Sequence, residues 1–147
     1  MDAVSVGVNR DAILAAFDAA LPIMPADKPR YLMGIGTPLD FFEAVARGAD
    51  LFDCVTPTRH GRNAQVYTSR GRINVRNAGW KESTQALDPD CPCPACTQYP
   101  VGVLRHLAVC DEMLGASLLS LHNITFFHRL MARMRAAIAA RMRAIKR

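Results

Sequence analysis

Tyr31-Leu32-Met33-Gly34-Ile35-Gly36-Thr37-Pro38, followed by Leu51-Phe52-Asp53-Cys54-Val55, decides the fold class. Tyr31 to Ile35 is a short apolar run punctuated by glycine, the pattern of a buried strand. Thr37 can accept a hydrogen bond from the first turn of a helix, Pro38 is pre-set for the first helical position, and Gly48 stands where that helix can end. Leu51 to Val55 then supplies a second strand within a few residues. Connections this short between strand, helix and strand describe a parallel α/β unit, because parallel neighbours need a crossover and a helix provides it. Upstream, Ile13, Leu14 and Phe17 recur at helical spacing behind Asn9, a capping residue type, until Pro22 and Pro25 break the pattern.

The sequence holds only about two strand-helix units, whereas a parallel sheet needs several strands covered on both faces. The expectation is part of a domain, with exposed strand edges that a partner chain completes or that mark a truncated product.

From Thr56 to Gln98 the character changes. Pro57, Gly61, Gly71, Gly79, Pro89, Pro92 and Pro94 surround two short β-like runs, Gln65 to Thr68 and Arg72 to Val75, which suggests a small irregular subdomain. Within it stands Cys91-Pro92-Cys93-Pro94-Ala95-Cys96, and His122 follows at a spacing that allows four ligands to close on one ion. Three thiolates and one imidazole suit a tetrahedral Zn2+ with every position occupied by protein, which is a structural rather than a catalytic site. A lone histidine near a helix is otherwise a capping or core residue, but the register with the cysteines favours ligation for His122. His60, His106 and His128 have no such register and are expected to have no catalytic role. A long helix is predicted from Leu118 onward. Its apolar residues Phe127, Leu130, Met131, Met134, Ile138, Met142 and Ile145 share one face, as core or interface packing, and the arginines take the other.

The chain has 147 residues, of which 50% are hydrophobic and 21% charged, the composition of one soluble globular domain. No run of about eighteen apolar residues occurs, and Met1-Asp2-Ala3-Val4 has neither a basic segment nor an apolar core of a leader, so a cytoplasmic protein without membrane association is expected. Five cysteines, an odd count with three clustered, fit a reducing compartment in which Cys54 and Cys110 remain free thiols. The net charge of +5 is concentrated at the C-terminal end, in Arg129, Arg133, Arg135, Arg141, Arg143, Lys146 and Arg147. A polyanionic partner and a solvated helix face explain that cluster equally well.

Arg30-Tyr31-Leu32-Met33-Gly34-Ile35-Gly36-Thr37-Pro38, Phe52-Asp53-Cys54-Val55-Thr56-Pro57-Thr58-Arg59, Arg62-Asn63, Leu87-Asp88-Pro89-Asp90 with the three cysteines, and Leu121-His122-Asn123 together closely resemble the bacterial tRNA-guanine transglycosylases in order and spacing. The resemblance runs from about Val4 to the C-terminal helix and corresponds to the C-terminal part of those enzymes. It implies the last part of a (β/α)8 TIM barrel with an inserted zinc-binding subdomain. On this basis residues 1–56 carry the last strand-helix units, 57–122 an RNA-contacting loop and the zinc subdomain, and 123–147 a basic amphipathic helix.

The implied reaction exchanges the wobble guanine of tRNA with a GUN anticodon for a 7-deazaguanine base, preQ1 or queuine, in queuosine biosynthesis. Asp53 matches the nucleophile, at the end of a barrel strand where such enzymes place catalytic groups. Read without the resemblance, a strand-end carboxylate is an amide cap. Tyr31 and Met33 match positions that pack on the exchanged base, although both residue types are ordinary strand core. Thr58, Arg59, His60, Gly61 and Arg62 match a segment gripping the anticodon loop, and Gly34, Ile35, Gly36, Thr37, Pro38, Leu39 and Asp40 match a second RNA-contacting stretch. Guanidinium groups bind phosphates or stack on splayed bases, and glycines let backbone approach RNA.

The likeness departs at Asp2-Ala3-Val4-Ser5-Val6-Gly7-Val8, where the family has Gly-Gly-Leu-x-x-Gly-Glu. Only Gly7 is kept, and Val8 replaces a base-reading glutamate. The family's general-base aspartate falls outside the matched part, so the chain alone is expected to be inactive. The resemblance implies a homodimer or a complementing N-terminal portion. The other reading is a non-catalytic, zinc-stapled tRNA-binding module or a partner subunit of a full-length transglycosylase. A zinc-ribbon DNA binder fits less well, because paired C-x2-C knuckles and a recognition helix are lacking.

Overall fold

A computed structural model of the chain describes residues 9–145. The expectations about Ala3, Gly7 and Val8, about the side chains of Arg143 and Ile145, and about Lys146 and Arg147 lie outside the described residues. The chain divides after Thr56 into two compact units.

The first unit has the expected alternation. Helix α1 (Arg10–Ala20) is capped by Asn9, whose side chain accepts from the Asp11 amide at 3.4 Å, and runs into a 3-10 turn at Leu21–Ile23. Strand β1 (Tyr31–Met33) leads to helix α2 (Pro38–Ala46) and strand β2 (Leu51–Asp53). The strands are parallel, with Tyr31 opposite Leu51, Leu32 opposite Phe52 and Met33 opposite Asp53. Thr37 caps α2 by accepting from the Asp40 amide at 3.3 Å, while its hydroxyl donates to the Asp40 carboxylate. Gly48, at φ +95°, takes the left-handed turn that ends this segment at little steric cost. Phe17, Leu21, Leu32, Ile35, Phe41 and Ala44 are buried, and Phe41 meets Phe52 edge to face at 4.9 Å.

The strand from Tyr31 is not the buried run that its composition suggests. It ends at Met33, and only Leu32 is buried, whereas Tyr31 and Met33 are 45% and 51% exposed. Side chains alternate across a strand, so Tyr31, Met33 and their register partners Leu51 and Asp53 share one open face.

The second unit is more regular than its prolines and glycines imply. Thr58 to Arg62, expected in a loop, lie in helix α3 (Thr56–Arg62). Strands β3 (Gln65–Thr68) and β4 (Gly71–Asn74) form an antiparallel hairpin, the second strand shifted by one residue from the expected run. Helix α4 (Pro94–Thr97) carries the end of the cysteine motif, and helix α5 (Val101–Val109), which the sequence reading missed, precedes α6 (Met113–Ile145). Helix α6 starts earlier than predicted and crosses the expected 122/123 boundary without a break. Val66, Val75, Ala95, Val101, Leu104 and Leu119 form the core with the buried cysteines. Leu104 and Leu119 are fully buried, each contributing about 1.5–3 kcal/mol by removal from water. On α6 the apolar stripe is buried at Phe127 and Met134, but Ile138 and Met142 are about half exposed.

Helix α3 lies directly on α6 because Gly61 has no side chain. A Cβ there would stand 2.6 Å from Cα and N of Ser120, atoms that move only with the α6 backbone. Gly61→Ala is therefore expected to destabilise the protein by about 1–3 kcal/mol through overpacking. Thermal unfolding checks this, and an unchanged midpoint would contradict the close contact.

Candidate metal centre and carboxylate site

The metal ligands are assembled by three local devices. Pro92 and Pro94 fix the backbone on either side of Cys93, and the short α4 turn brings Cys93 and Cys96 to one side, with the Cys96 amide donating to the Cys93 carbonyl at 3.0 Å. The Cys91 amide donates to the Asp88 carbonyl at 3.1 Å. His122 comes from the first third of α6 and is fully buried.

Ligand atoms of Cys91, Cys93, Cys96 and His122 all lie within 4.8 Å of one another. His122 Nδ1 is 3.5 Å from Cys93 Sγ and 3.2 Å from Cys96 Sγ. Ligands at bond length from one tetrahedral zinc are about 3.3–3.8 Å apart, so the donor set and its size fit such an ion. The imidazole is also in the fitting tautomer. Nε2 lies 2.8 Å from the Tyr67 carbonyl, which only accepts, so Nε2 carries the proton and the Nδ1 lone pair faces the sulfurs.

The thiols agree with this chemistry. Hydrogen bonding from Cys96, opposed by burial, holds the Cys93 thiol down to about 4. Cys96 is pushed up chiefly by its hydrogen bond to Cys93, and Cys91 by burial. The first thiolate thus opposes the next two, and a divalent cation among them would reverse that opposition.

Residues outside the ligand set support the site. Asp88 is 2% exposed, and although burial works against its charge, the Ser69 hydroxyl and amide donate at 2.9 and 3.0 Å and hold its carboxyl below the usual range. This ties the cysteine loop to the hairpin. Asn123 is fully buried, accepting from the Tyr67 amide at 3.0 Å and donating to the carbonyls of Pro57 and Gln65 at 2.9 and 3.0 Å. Asp88 and Asn123 stand within quoted motifs, but nothing in the sequence singled out Tyr67.

On α3, Arg59 and Arg62 are exposed and, among the described residues, neither is in an ion pair. Thr58 is half-buried, its carbonyl accepting from the Ser120 hydroxyl at 3.3 Å, and Gly61 is buried. His60 turns inward, with Nδ1 2.8 Å from the Tyr67 hydroxyl. Burial, then the charges of Arg72 and Arg59, push its pKa down, so its imidazole is neutral at pH 7.

In the first unit, Asp53 is exposed at the end of β2. Its Oδ1 accepts from the Tyr31 hydroxyl at 2.8 Å and from the Gly34 amide at 3.3 Å. Among the described residues Oδ2 receives no hydrogen bond, so one oxygen is held and the other is open. The Tyr31 phenol is pushed up, first by that hydrogen bond. In the stretch Gly34 to Asp40, Ile35, Gly36 and Asp40 are buried, with Asp40 committed to the α2 cap and to Arg10 at 3.8 Å. A Cβ on Gly36 would collide with Cys54 Sγ and come within 2.7 Å of Thr56 Oγ1. Pro38 is half-buried, and the side chains of Thr37 and Leu39 are exposed.

No helix among the described residues is long and apolar enough to cross a membrane. A family model described as queuine tRNA-ribosyltransferase matches residues 1–143. Similar proteins of that name include one from Novosphingobium aromaticivorans, 54% identical over 92% of this chain, and one from Caulobacter vibrioides, 53% identical over 92%. A third, from Granulibacter bethesdensis, is 49% identical over 91%. The chain spans about 36% of the length of each of these relatives. A mixed α/β chain with a buried Cys3His cluster that suits zinc, matched over nearly all its length, belongs to the queuine tRNA-ribosyltransferase family.

Proposed function

We propose that the chain carries the nucleophile, the structural zinc site and part of the RNA surface of a tRNA-guanine transglycosylase. The observation that carries this reading is the Asp53 carboxylate, fixed through Oδ1 by Tyr31 and Gly34 with Oδ2 open on an exposed face. Oδ2 attacks C1′ of the wobble ribose as the bond from C1′ to guanine breaks, giving a ribosyl ester. The incoming 7-deazaguanine, preQ1 or queuine, loses its ring N–H proton and attacks C1′, releasing the carboxylate with net retention. A group that the family resemblance places outside these residues takes this proton and gives one to the departing guanine.

Tyr31 and Met33 flank the carboxylate and supply apolar surface for the base, with the Tyr31 hydroxyl held by Asp53 rather than pointed at it. Arg59 and Arg62 on α3 provide cations for the anticodon backbone of a GUN tRNA, and the backbone at Gly34, with Thr37 and Leu39, offers a second contact. The buried or capping positions Ile35, Gly36, Asp40 and Gly61 shape these surfaces without presenting side chains to RNA. Zn2+ in the Cys3His cluster acts as a structural staple. The strand-helix units belong, in this reading, to the end of a TIM barrel.

The test is exchange of labelled guanine into GUN-anticodon tRNA, by this chain alone and mixed with a chain supplying the remaining length of the relatives. Exchange in the mixture is expected. Its absence there, with tRNA still bound, would overturn catalysis and favour a zinc-stapled tRNA-binding module.

A further inference from the structure

Three of the hydrogen bonds of Tyr67 each reach a different part of the second unit. Its carbonyl accepts from the metal ligand His122, its amide donates to Asn123 and its hydroxyl meets His60 on α3. The rings reinforce this arrangement. His60 stacks on Tyr67 at 5.7 Å with 18° between planes, Phe126 stacks on Tyr67 at 5.8 Å, and Phe127 meets it edge-on at 5.0 Å. Tyr67 is 6% exposed although it carries a polar hydroxyl, so the contact with His60 satisfies a buried group.

We propose that Tyr67 is a positioning residue that ties the metal ligand His122 to α3, so that the metal centre fixes where Arg59 and Arg62 stand. The connection is short: from His122 Nε2 to the Tyr67 carbonyl, through one residue, and from its hydroxyl to His60. Arg59 and Arg62 flank His60 in the same helix, so a rotation of α3 about its axis moves both guanidinium groups together. Ser120 and Asn123 hydrogen-bond the carbonyls of Thr58, Pro57 and Gln65, at the beginning of α3 and in the chain beyond it, and Gly61 packs against the Ser120 backbone. The Tyr67 hydroxyl is the hydrogen-bond partner of an α3 side chain near the helix centre, and it resists that rotation. The consequence for RNA rests on the functional reading above, whereas the mechanical link does not.

Tyr67→Phe keeps the ring stack and both backbone hydrogen bonds and removes only the hydroxyl. In the metal-loaded protein it is expected to leave metal content unchanged while amide exchange in α3 becomes roughly two- to tenfold faster. His60→Phe should do the same, and the double variant should be no faster than either single one. Unchanged α3 exchange, additive effects, or equal loosening of α5 with metal loss would each overturn the proposal. In protein of the relatives' full length, Tyr67→Phe should raise KM for tRNA with kcat held. A fall in kcat at constant KM would count against positioning of the RNA contacts. Loosened α3 exchange with unaltered KM would instead overturn the RNA reading of Arg59 and Arg62 and leave the mechanical link standing.

Discussion

Cys93→Ser is expected to release the metal and to unfold the region it staples, from α3 to His122. Serine keeps the backbone of the α4 cap, where the Cys93 carbonyl accepts from the amides of Cys96 and Thr97 at 3.0 Å, so the loss is confined to the sulfur. An alcohol does not replace a thiolate on a soft-ligand site. Structural zinc contributes about 10–16 kcal/mol of apparent binding energy in small zinc domains, comparable to or larger than the about 5–15 kcal/mol that keeps a whole domain folded. The core here cannot absorb such a loss, because Cys91, Cys93 and Cys96 are themselves part of it alongside Val66, Ala95 and Leu104. Metal content and thermal unfolding report the result, with exposed Cys110→Ser as the control that retains both. Full metal content in Cys93→Ser would remove the cluster from its role. Acid should act in the same direction: the cysteines bind as thiolates, so falling pH protonates them and expels the ion.

The legible parts of the fold were those whose signals are local. Asn9, Thr37, Pro38 and Gly48 each act on the backbone within a turn of their own position, and α1, α2 and the parallel strands follow them. The cysteine spacing was legible for the same reason, since α4 is a single turn whose geometry is set by its prolines. What failed was local signal overridden by packing. Thr58-Arg59-His60-Gly61-Arg62 has a glycine and no apolar stripe, yet it is helical because Gly61 seats against Ser120, far away in sequence, and His60 against Tyr67 on the neighbouring strand. Strand β1 was misjudged in burial because a short apolar run does not reveal which of its faces is covered. Tyr67 was invisible as a supporter of the metal centre because its amide and carbonyl make the contacts, and composition does not encode backbone hydrogen bonds.

Asp53→Asn, in protein of the relatives' full length, is expected to abolish the covalent RNA adduct and to lower base exchange by at least about a thousandfold. The substitution separates position from reactivity. An asparagine carbonyl can still accept from the Tyr31 hydroxyl and the Gly34 amide, which lie 2.8 and 3.3 Å from Oδ1, so the end of β2 need not move. What is lost is the negative charge and nucleophilicity of the second oxygen, the one left open. Without it the ribosyl cation that develops as guanine departs has no anion beneath it and no partner for a covalent bond. tRNA binding should persist within a few fold, because Asp53 contributes no attraction to phosphate and its anion, if anything, repels it. Denaturing electrophoresis of enzyme with tRNA in the absence of the incoming base gives the decisive readout. An adduct of normal yield in Asp53→Asn would assign the nucleophile elsewhere and return Asp53 to the simpler role that its Gly34 contact also fits, a carboxylate that caps a neighbouring amide at the end of a strand.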